Sequence, residues 1–456
     1  MNTRNKILAL LLALAMALAL AACGGGGDTA TGGDSGSTGG SDTSETGGST
    51  GGGSGDQLEV WIWDNDQLAG LQEIADLWTE QSGVPVKINV VTWDNYWTLL
   101  EAGASGGEMA DVFWMHVNEA QKYMENGILL DLTPYIEASD SVDLANYYPD
   151  AVSLYSYDGK NYGIPKDHDV NVILYNKAVF DQYGFDYPDE TWTWETYYEV
   201  ASGITAASGG SVYGAAMNTT NDQDGWWNIV YAYGGSIISE DKTTSGLDSA
   251  ETKEAMEFVA RLIDDAFAPQ ALVSENGTGG LFTNGLAAMI TQGNYTIRNY
   301  TTYDNASDFG VAVMPYHDAN GNGQCDDGER VTVYNSLSWS AAANSEHPDE
   351  AYSLIEWFTS EEMQIKQAEL GVTLAGYIGA DDAYAQTISD AGIDASAVQV
   401  MNDTATLVSY PFSKYTTNWQ NNIRETLVAA WLDTSVMSDK LDEAAAYMND
   451  ILATES

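Results

Sequence analysis

Basic residues, cysteine and proline are all scarce in this chain of 456 residues, which has 16 Lys and Arg, two Cys and nine Pro. The 67 Asp and Glu leave a formal net charge of −51. A surface of that sign repels nucleic-acid phosphates and anionic headgroups, so a nucleic-acid partner is excluded, while solubility and attraction of cations are favoured. No H-E-x-x-H or phosphate-cradling glycine loop occurs, which removes common signatures of zinc-protease and nucleotide chemistry. There is also no internal repeat. The only long apolar run is Ile7–Leu20, and its 14 residues are short for a membrane span.

That run is informative for another reason. Arg4 and Lys6 precede it, and Leu20-Ala21-Ala22-Cys23 follows it, an arrangement that resembles the lipobox of exported bacterial lipoproteins. Residues 1–22 then form a signal peptide and Cys23 is the lipidated first residue, with the membrane as a partner through that anchor. The location implied is the extracellular face of the cytoplasmic membrane, of the Gram-positive type. With Cys23 acylated, Cys325 has no disulfide partner, so a large core must hold the fold. Loss of Arg4 and Lys6 leaves 14 basic residues and a charge of −53. Residues 23–56 are Gly, Ser, Thr and Asp with little else, a flexible tether whose r.m.s. reach is on the order of 30 Å.

Order begins at Leu58. LEVWIW reads as a buried strand, the next segment places Leu68, Leu71, Ile74 and Trp78 on one helical face, PVKINVV alternates as a strand, Tyr96–Ala104 is helical and DVFWM is a strand. Such alternation predicts an α/β layer with a mostly parallel sheet. From about Thr191 helices dominate (WTWETYYEVASGI, GWWNIVYAYGG, TKEAMEFVARLIDDA). Near the end, Trp419, Ile423, Leu427 and Ala430, then Leu441, Ala445, Met448 and Leu452, recur at helical spacing.

Several stretches, in this order, resemble the bacterial extracellular solute-binding proteins that deliver sugars to ABC importers, the group that includes maltose-binding protein. They are ADVFWMH (110–116), NGILLDLTPYI (126–136), YGIPKDHDVNVILYNKAVF (162–180), ETWTWETYYEV (190–200), LFTNGLAAMITQGNY (281–295), FGVAVMPY (309–316) and HPDEAYSLIEWFTSEEMQ (347–364). The resemblance implies an α/β, periplasmic-binding-protein-like fold of type II, with two lobes of mixed sheet flanked by helices and joined by a hinge. The lobes expected are 57–170 with 335–375, and 171–334 with 376–456. Hinge segments are expected near Val170–Ile173, near Val331–Asn335 and after Gly371.

In such a layout the ligand lies where strand ends face each other across the crevice. Residues after predicted strands are then candidates: Trp63 and Asp64, Trp93, and Asp111 and His116 around ADVFWMH. A sugar needs hydrogen-bonding partners for its hydroxyls and flat rings for its C–H faces, and these residues offer both. By resemblance, Lys166 and Asp169 (with Asp167), Trp226, Trp227, Gln292 and Tyr295 join them. Tyr295 stands where the family usually has Trp. Trp419, and Tyr410 beside it, match a stacking segment, and Asn335 and Trp339 match the return crossing. Trp61, Trp78, Trp97 and Trp357 fall on apolar faces and read as core.

The stretch DANGNGQCDDGE matches D-x-[DN]-x-[DN]-G-x5-E throughout: Asp318, Asn320, Asn322, the Gln324 carbonyl, Asp326 and Glu329 at the ligand positions, with Gly323 at the turn. A hard divalent ion needs many oxygens from one short loop, so a calcium site is expected. The flanks read as strands, unlike an EF-hand, and the loop 318–329 is expected to be a structural insertion in the second lobe. The function expected is a monomeric, non-enzymatic receptor that takes a carbohydrate ligand to an ABC permease. A calcium-dependent carbohydrate-active enzyme, a binder of another polar solute and an adhesin are the alternatives.

Overall fold

The computed structural model describes residues 57–107 and 109–455, so the signal, Cys23 and the tether lie outside the described residues. β1 (Leu58–Ile62) leads through α1 (Leu68–Ser82) to β2 (Val86–Val90), then α2 (Trp93–Gly106), β3 (Val112–Met115) and α3 (Val117–Glu125). α1 buries Leu71, Ile74, Ala75 and Trp78, the face that the spacing predicts, and ends where Gly83 takes a φ of 77° that suits glycine. β1 runs parallel to β2 and β3. All four residues of β3 are buried, as expected of a central strand covered on both faces.

The chain then passes through β4 (Ile164–Pro165) to β5 (Asn171–Asn176). β5 belongs to a second sheet with β6 (Tyr213–Ala216), β7 (Ala287–Gly293) and β8 (Phe309–Ala312), and α4 (Trp226–Ala232) follows β6. β9 (Val331–Tyr334) leads to β10 (Ser338–Ala341), which returns to the first sheet antiparallel to β3 and β4. The sheet orders are β2-β1-β3-β10-β4 and β8-β5-β7-β6. β11 (Thr406–Ser409) pairs with β9, and the chain closes on α5 (Thr416–Leu432) and α6 (Met437–Leu452), which bury the residues their periodicity marks.

Two cores result. One gathers Leu58, Val60, Leu71, Trp114 and Trp339 between the first sheet and its helices, and the other gathers Leu174, Leu262, Met289 and Trp419 around the second sheet. Three segments connect them: 166–170, 335–337 and 370–380. They bond to one another, with Asp169 and Asn335 exchanging N–H···O bonds of 2.8 and 3.0 Å, Lys166 N–H donating to Leu337 O at 2.8 Å and Gly376 N–H to Lys166 O at 3.2 Å. A Cβ at Gly376 would stand 2.9 Å from the Pro165 carbonyl oxygen, so the third segment can close on the first only with glycine there. The first two crossings depart slightly from expectation, because most of Val170–Ile173 and of Val331–Asn335 is already strand.

Candidate functional site

A cleft of about 720 Å³ opens beside these crossings. One wall comes from the carboxyl ends of β1 and β3 and from the start of α2. Trp63 is the hub of an aromatic cluster, its ring 5.1 Å from Trp93, 5.0 Å from Tyr96 and 5.0 Å from Trp114, all edge-on. Trp93 opens α2 and is 40% exposed at the cleft, and Trp97, one turn later, lines the same wall. The Asp64 carboxylate beside them accepts the Asp66 N–H at 2.8 Å and the Gln67 side-chain amide at 3.1 Å.

His116 follows β3 and caps α3, its Nδ1 accepting the Asn118 N–H at 3.1 Å. Burial lowers its pKa to about 4, so the ring is neutral at pH 7. At the floor, Asp167 and Asp169 come from the first crossing and Asn335 from the second. Burial, and then the Asp167 charge, push Asp169 well above the usual carboxylate range.

The opposite wall is polar. Thr220, Asn221 and Gln223 precede α4, and Tyr295 follows β7. The Tyr295 hydroxyl and the Asn221 amide both donate to Asp224 at 2.7 Å, while burial raises Asp224 to about 6. Thr417, Gln420, Asn421 and Arg424 line this wall from one face of α5. Arg424 Nε is 2.8 Å from the buried Asp222, which also accepts from Gln420 at 3.0 Å.

Of the expected ligand residues, Trp63, Asp64, Trp93, His116, Asp167, Asp169, Tyr295, Asn335 and Tyr410 meet in the cleft. The others do not line it. Asp111 lies at the amino end of β3, away from the crevice, and accepts the Glu59 N–H at 2.9 Å and the Ser345 hydroxyl at 2.6 Å. Lys166 is fully buried, pairs with Asp167 at 2.8 Å and sits 4.5 Å over the Trp114 ring. Trp226 is buried and donates to Asp222 at 3.0 Å, and Trp227 packs behind the cleft against Tyr410 at 5.1 Å. Gln292 is held in β7 near Thr278. Trp339 stacks on Phe358 at 4.4 Å, and Trp419 is buried with its Nε1 on the Ser413 hydroxyl at 2.9 Å. Burial removes Lys166, Trp226, Trp227, Trp339 and Trp419 from a ligand's reach, whereas Asp111 and Gln292 are half-buried and lie outside the cleft lining. Trp97, expected in the core, is the reverse case.

The polar set on α5 has a legible signal: Thr417, Gln420, Asn421 and Arg424 share one helix face, opposite the apolar stripe that the periodicity reveals. Gln67, Asn118 and Gln223 have no comparable signature, because their place depends on how the elements pack.

The loop Asp318–Glu329 lies on the surface between β8 and β9, without flanking helices. Its oxygens turn onto its own backbone: Asp318 accepts the Asn322 and Gly323 N–H groups at 3.0 and 2.9 Å, and Glu329 accepts that of Asp326 at 2.9 Å. The Asn320 and Asn322 amides both donate to Asp326 at 2.8 Å. Among the described residues no group of three or more His, Cys, Asp or Glu is placed to hold a metal ion.

Residues 73–399 match the family described as bacterial extracellular solute-binding protein. This chain belongs to that family. The solute-binding protein is 24% identical to a lactose-binding protein of Rhizobium radiobacter over 71% of its own length and 74% of the relative's. It is 26% identical to a maltotriose-binding protein of Pyrococcus abyssi over 70% and 66%. Among solved structures it is similar to an ABC substrate-binding protein from Listeria monocytogenes in complex with cycloalternan, with a TM-score of 0.76, 21% identity, and coverage of 87% of this chain and 98% of that one. A solute-binding protein from Agrobacterium vitis with bound D-mannitol superposes with a TM-score of 0.69 and 20% identity, over 87% and 98%. The fold is thus the two-lobe, type II periplasmic-binding-protein fold expected, and the protein is a binding protein and not an enzyme.

Proposed function

We propose that this solute-binding protein captures a sugar or oligosaccharide in the cleft and hands it to the permease of an ABC importer. The observation that carries the reading is the pairing of walls: tryptophan rings at Trp63, Trp93 and Trp97 on one side, amides and hydroxyls on the other, with the Asp167 and Asp169 carboxylates at the floor. C–H faces of a pyranose pack on the first and hydroxyls bond to the second. The names of the lactose- and maltotriose-binding relatives support the same class.

In this reading the bodies 57–170 with 335–375 and 171–334 with 376–456 close about the three crossings. Ligand shifts the population towards the closed form by its preference for it, and that form engages the permease as a monomer. Cys23 carries a lipid, and residues 23–56 let the body range over the extracellular face of the membrane. The loop Asp318–Glu329 takes a calcium ion as a structural clasp, with Asp318, Asn320, Asn322, Asp326 and Glu329 turning their oxygens inward from their backbone partners and Gln324 offering its carbonyl.

Calorimetric titration with glucose, D-mannitol, lactose and maltotriose tests the main reading. Saturable binding of at least one, with the ligand recovered intact, is expected; heat from none would refute it.

A further inference from the structure

The polar groups at the hinge end of the cleft set one another's orientation, beginning from a helix cap. His116 Nδ1 accepts the Asn118 N–H, so it carries no proton. The ring is buried and neutral at pH 7. A neutral imidazole holds one proton, which must lie on Nε2 and makes that atom a donor. Nε2 stands 2.8 Å from the Asn335 side-chain amide. Of the two ends of that amide only the carbonyl oxygen accepts a proton. Nitrogen and oxygen are alike in shape, and hydrogen bonding decides between them. Asn335 therefore turns its carbonyl to His116 and its NH₂ the other way.

The other way lies Asp169. The two residues oppose each other in an antiparallel bridge with both backbone bonds made, so their side chains leave the same face, about 5 Å apart at Cβ. The end of the Asn335 amide that points away from His116 is buried without a partner, and so is Oδ1 of Asp169. A donor at the first position answers the acceptor at the second. Lys166 favours the Asp169 charge through space but bonds Asp167, and Arg424 bonds Asp222, so neither is shown donating to Asp169. Asp169 itself lines the cavity.

We propose that His116, Asn335 and Asp169 form a hydrogen-bonded relay, donor to acceptor, that holds the Asp169 carboxylate as a fixed acceptor for a hydroxyl of the ligand. The acceptor's role rests on the sugar reading above; the relay does not. Asp169 is the ligand-contacting group, and Asn335 and His116 are positioning residues. The ionisable groups that face Asp169 are Asp167 and Lys166 on its own crossing, Asp224 before α4, and the Tyr155, Tyr295 and Tyr384 hydroxyls. Burial and then the carboxylates disfavour its charge, which Lys166, the amide donor and a ligand hydroxyl favour.

The His116 tautomer is read without ligand from two-bond ¹⁵N–¹H correlations. The chain has only four His, and His116→Gln assigns the signal by its loss. A proton on Nε2 at about pH 7 is expected, and a proton on Nδ1 overturns the relay. Calorimetry with glucose, D-mannitol, lactose and maltotriose tests the acceptor. Asp169→Asn should weaken the tightest of the four by about tenfold or more, and a loss below about threefold overturns the assignment. Asn335→Leu removes the donor and leaves the Asp169 charge less favoured, so its deficit should grow as the pH is lowered, whereas a deficit equal at every pH overturns the positioning role. Asn335→Asp, of the same shape, should show the same sign if the leucine variant does not fold. Wild-type protein that binds none of the four ligands refutes the sugar reading and the acceptor's role together, and the tautomer still decides the relay.

Discussion

His168, in the first crossing, is a buried base with nothing to bond. Its ring lies between Tyr148 at 4.0 Å and Tyr334 at 5.7 Å, both within 20° of parallel, and neither ring nitrogen has a partner. Burial lowers its pKa from 6.5 to about 4. In the unfolded chain the same residue takes up a proton near pH 6.5, so the unfolded state binds more protons than the folded state between those values. Folded stability therefore falls as pH falls through that window. From pH 7 to pH 5 the loss from this residue is about 2 kcal/mol. His168→Phe keeps a flat ring between the tyrosines and removes the titration. Asp224, raised to about 6 by burial, acts with the opposite sign, but it is common to both proteins and cancels in the difference. Urea unfolding followed by tryptophan fluorescence at the two pH values measures it. Wild type should lose about 2 kcal/mol more than the variant on going to pH 5. Equal losses would show that His168 is protonated alike in both states, and would refute its reading as a neutral, unpartnered ring.

Further outcomes follow from the same contacts. Lys166→Met strands the buried Asp167 and should cost about 3–5 kcal/mol in urea unfolding, with much of it recovered by adding Asp167→Asn; a cost near zero would contradict the buried ion pair. Trp93→Ala removes an exposed platform and should weaken the preferred sugar roughly tenfold in calorimetry without lowering the unfolding midpoint. Calcium at millimolar concentration should raise the thermal midpoint of wild type and leave Glu329→Gln unmoved; no shift in wild type removes the proposed clasp. Cys23→Ser should move the protein from the membrane fraction to the medium, and continued membrane association would refute the lipid anchor.

Much of the fold is legible along the chain because periodicity reports burial directly: the stripes of α1, α5 and α6 and the strand–helix alternation up to β3 all appear in the structure. The cleft is legible in part, and the part follows a rule. Side chains just beyond the carboxyl ends of β1 and β3, Trp63, Asp64 and His116, reach the crevice, whereas Asp111, only a few residues before His116, sits at the wrong end of β3. Tryptophan count is a poor guide, since Trp226, Trp227, Trp339 and Trp419 are large enough to fill cores and do so, while Trp97 faces the cleft from what reads as an apolar helix face. The hinge pairing of Asn335 with Asp169 joins residues by tertiary contact, which no local pattern encodes, and the same holds for the burial of the adjacent Lys166 and Asp167.

The most direct test is a crystal structure of the protein with the tightest of the four titrated ligands. The account predicts a sugar ring or polyol chain against Trp63, Trp93 or Trp97, with a hydroxyl within hydrogen-bonding distance of Asp169. A ligand seated elsewhere, such as the acidic groove beside Trp357 and Glu356, with the cleft holding only water, would contradict it.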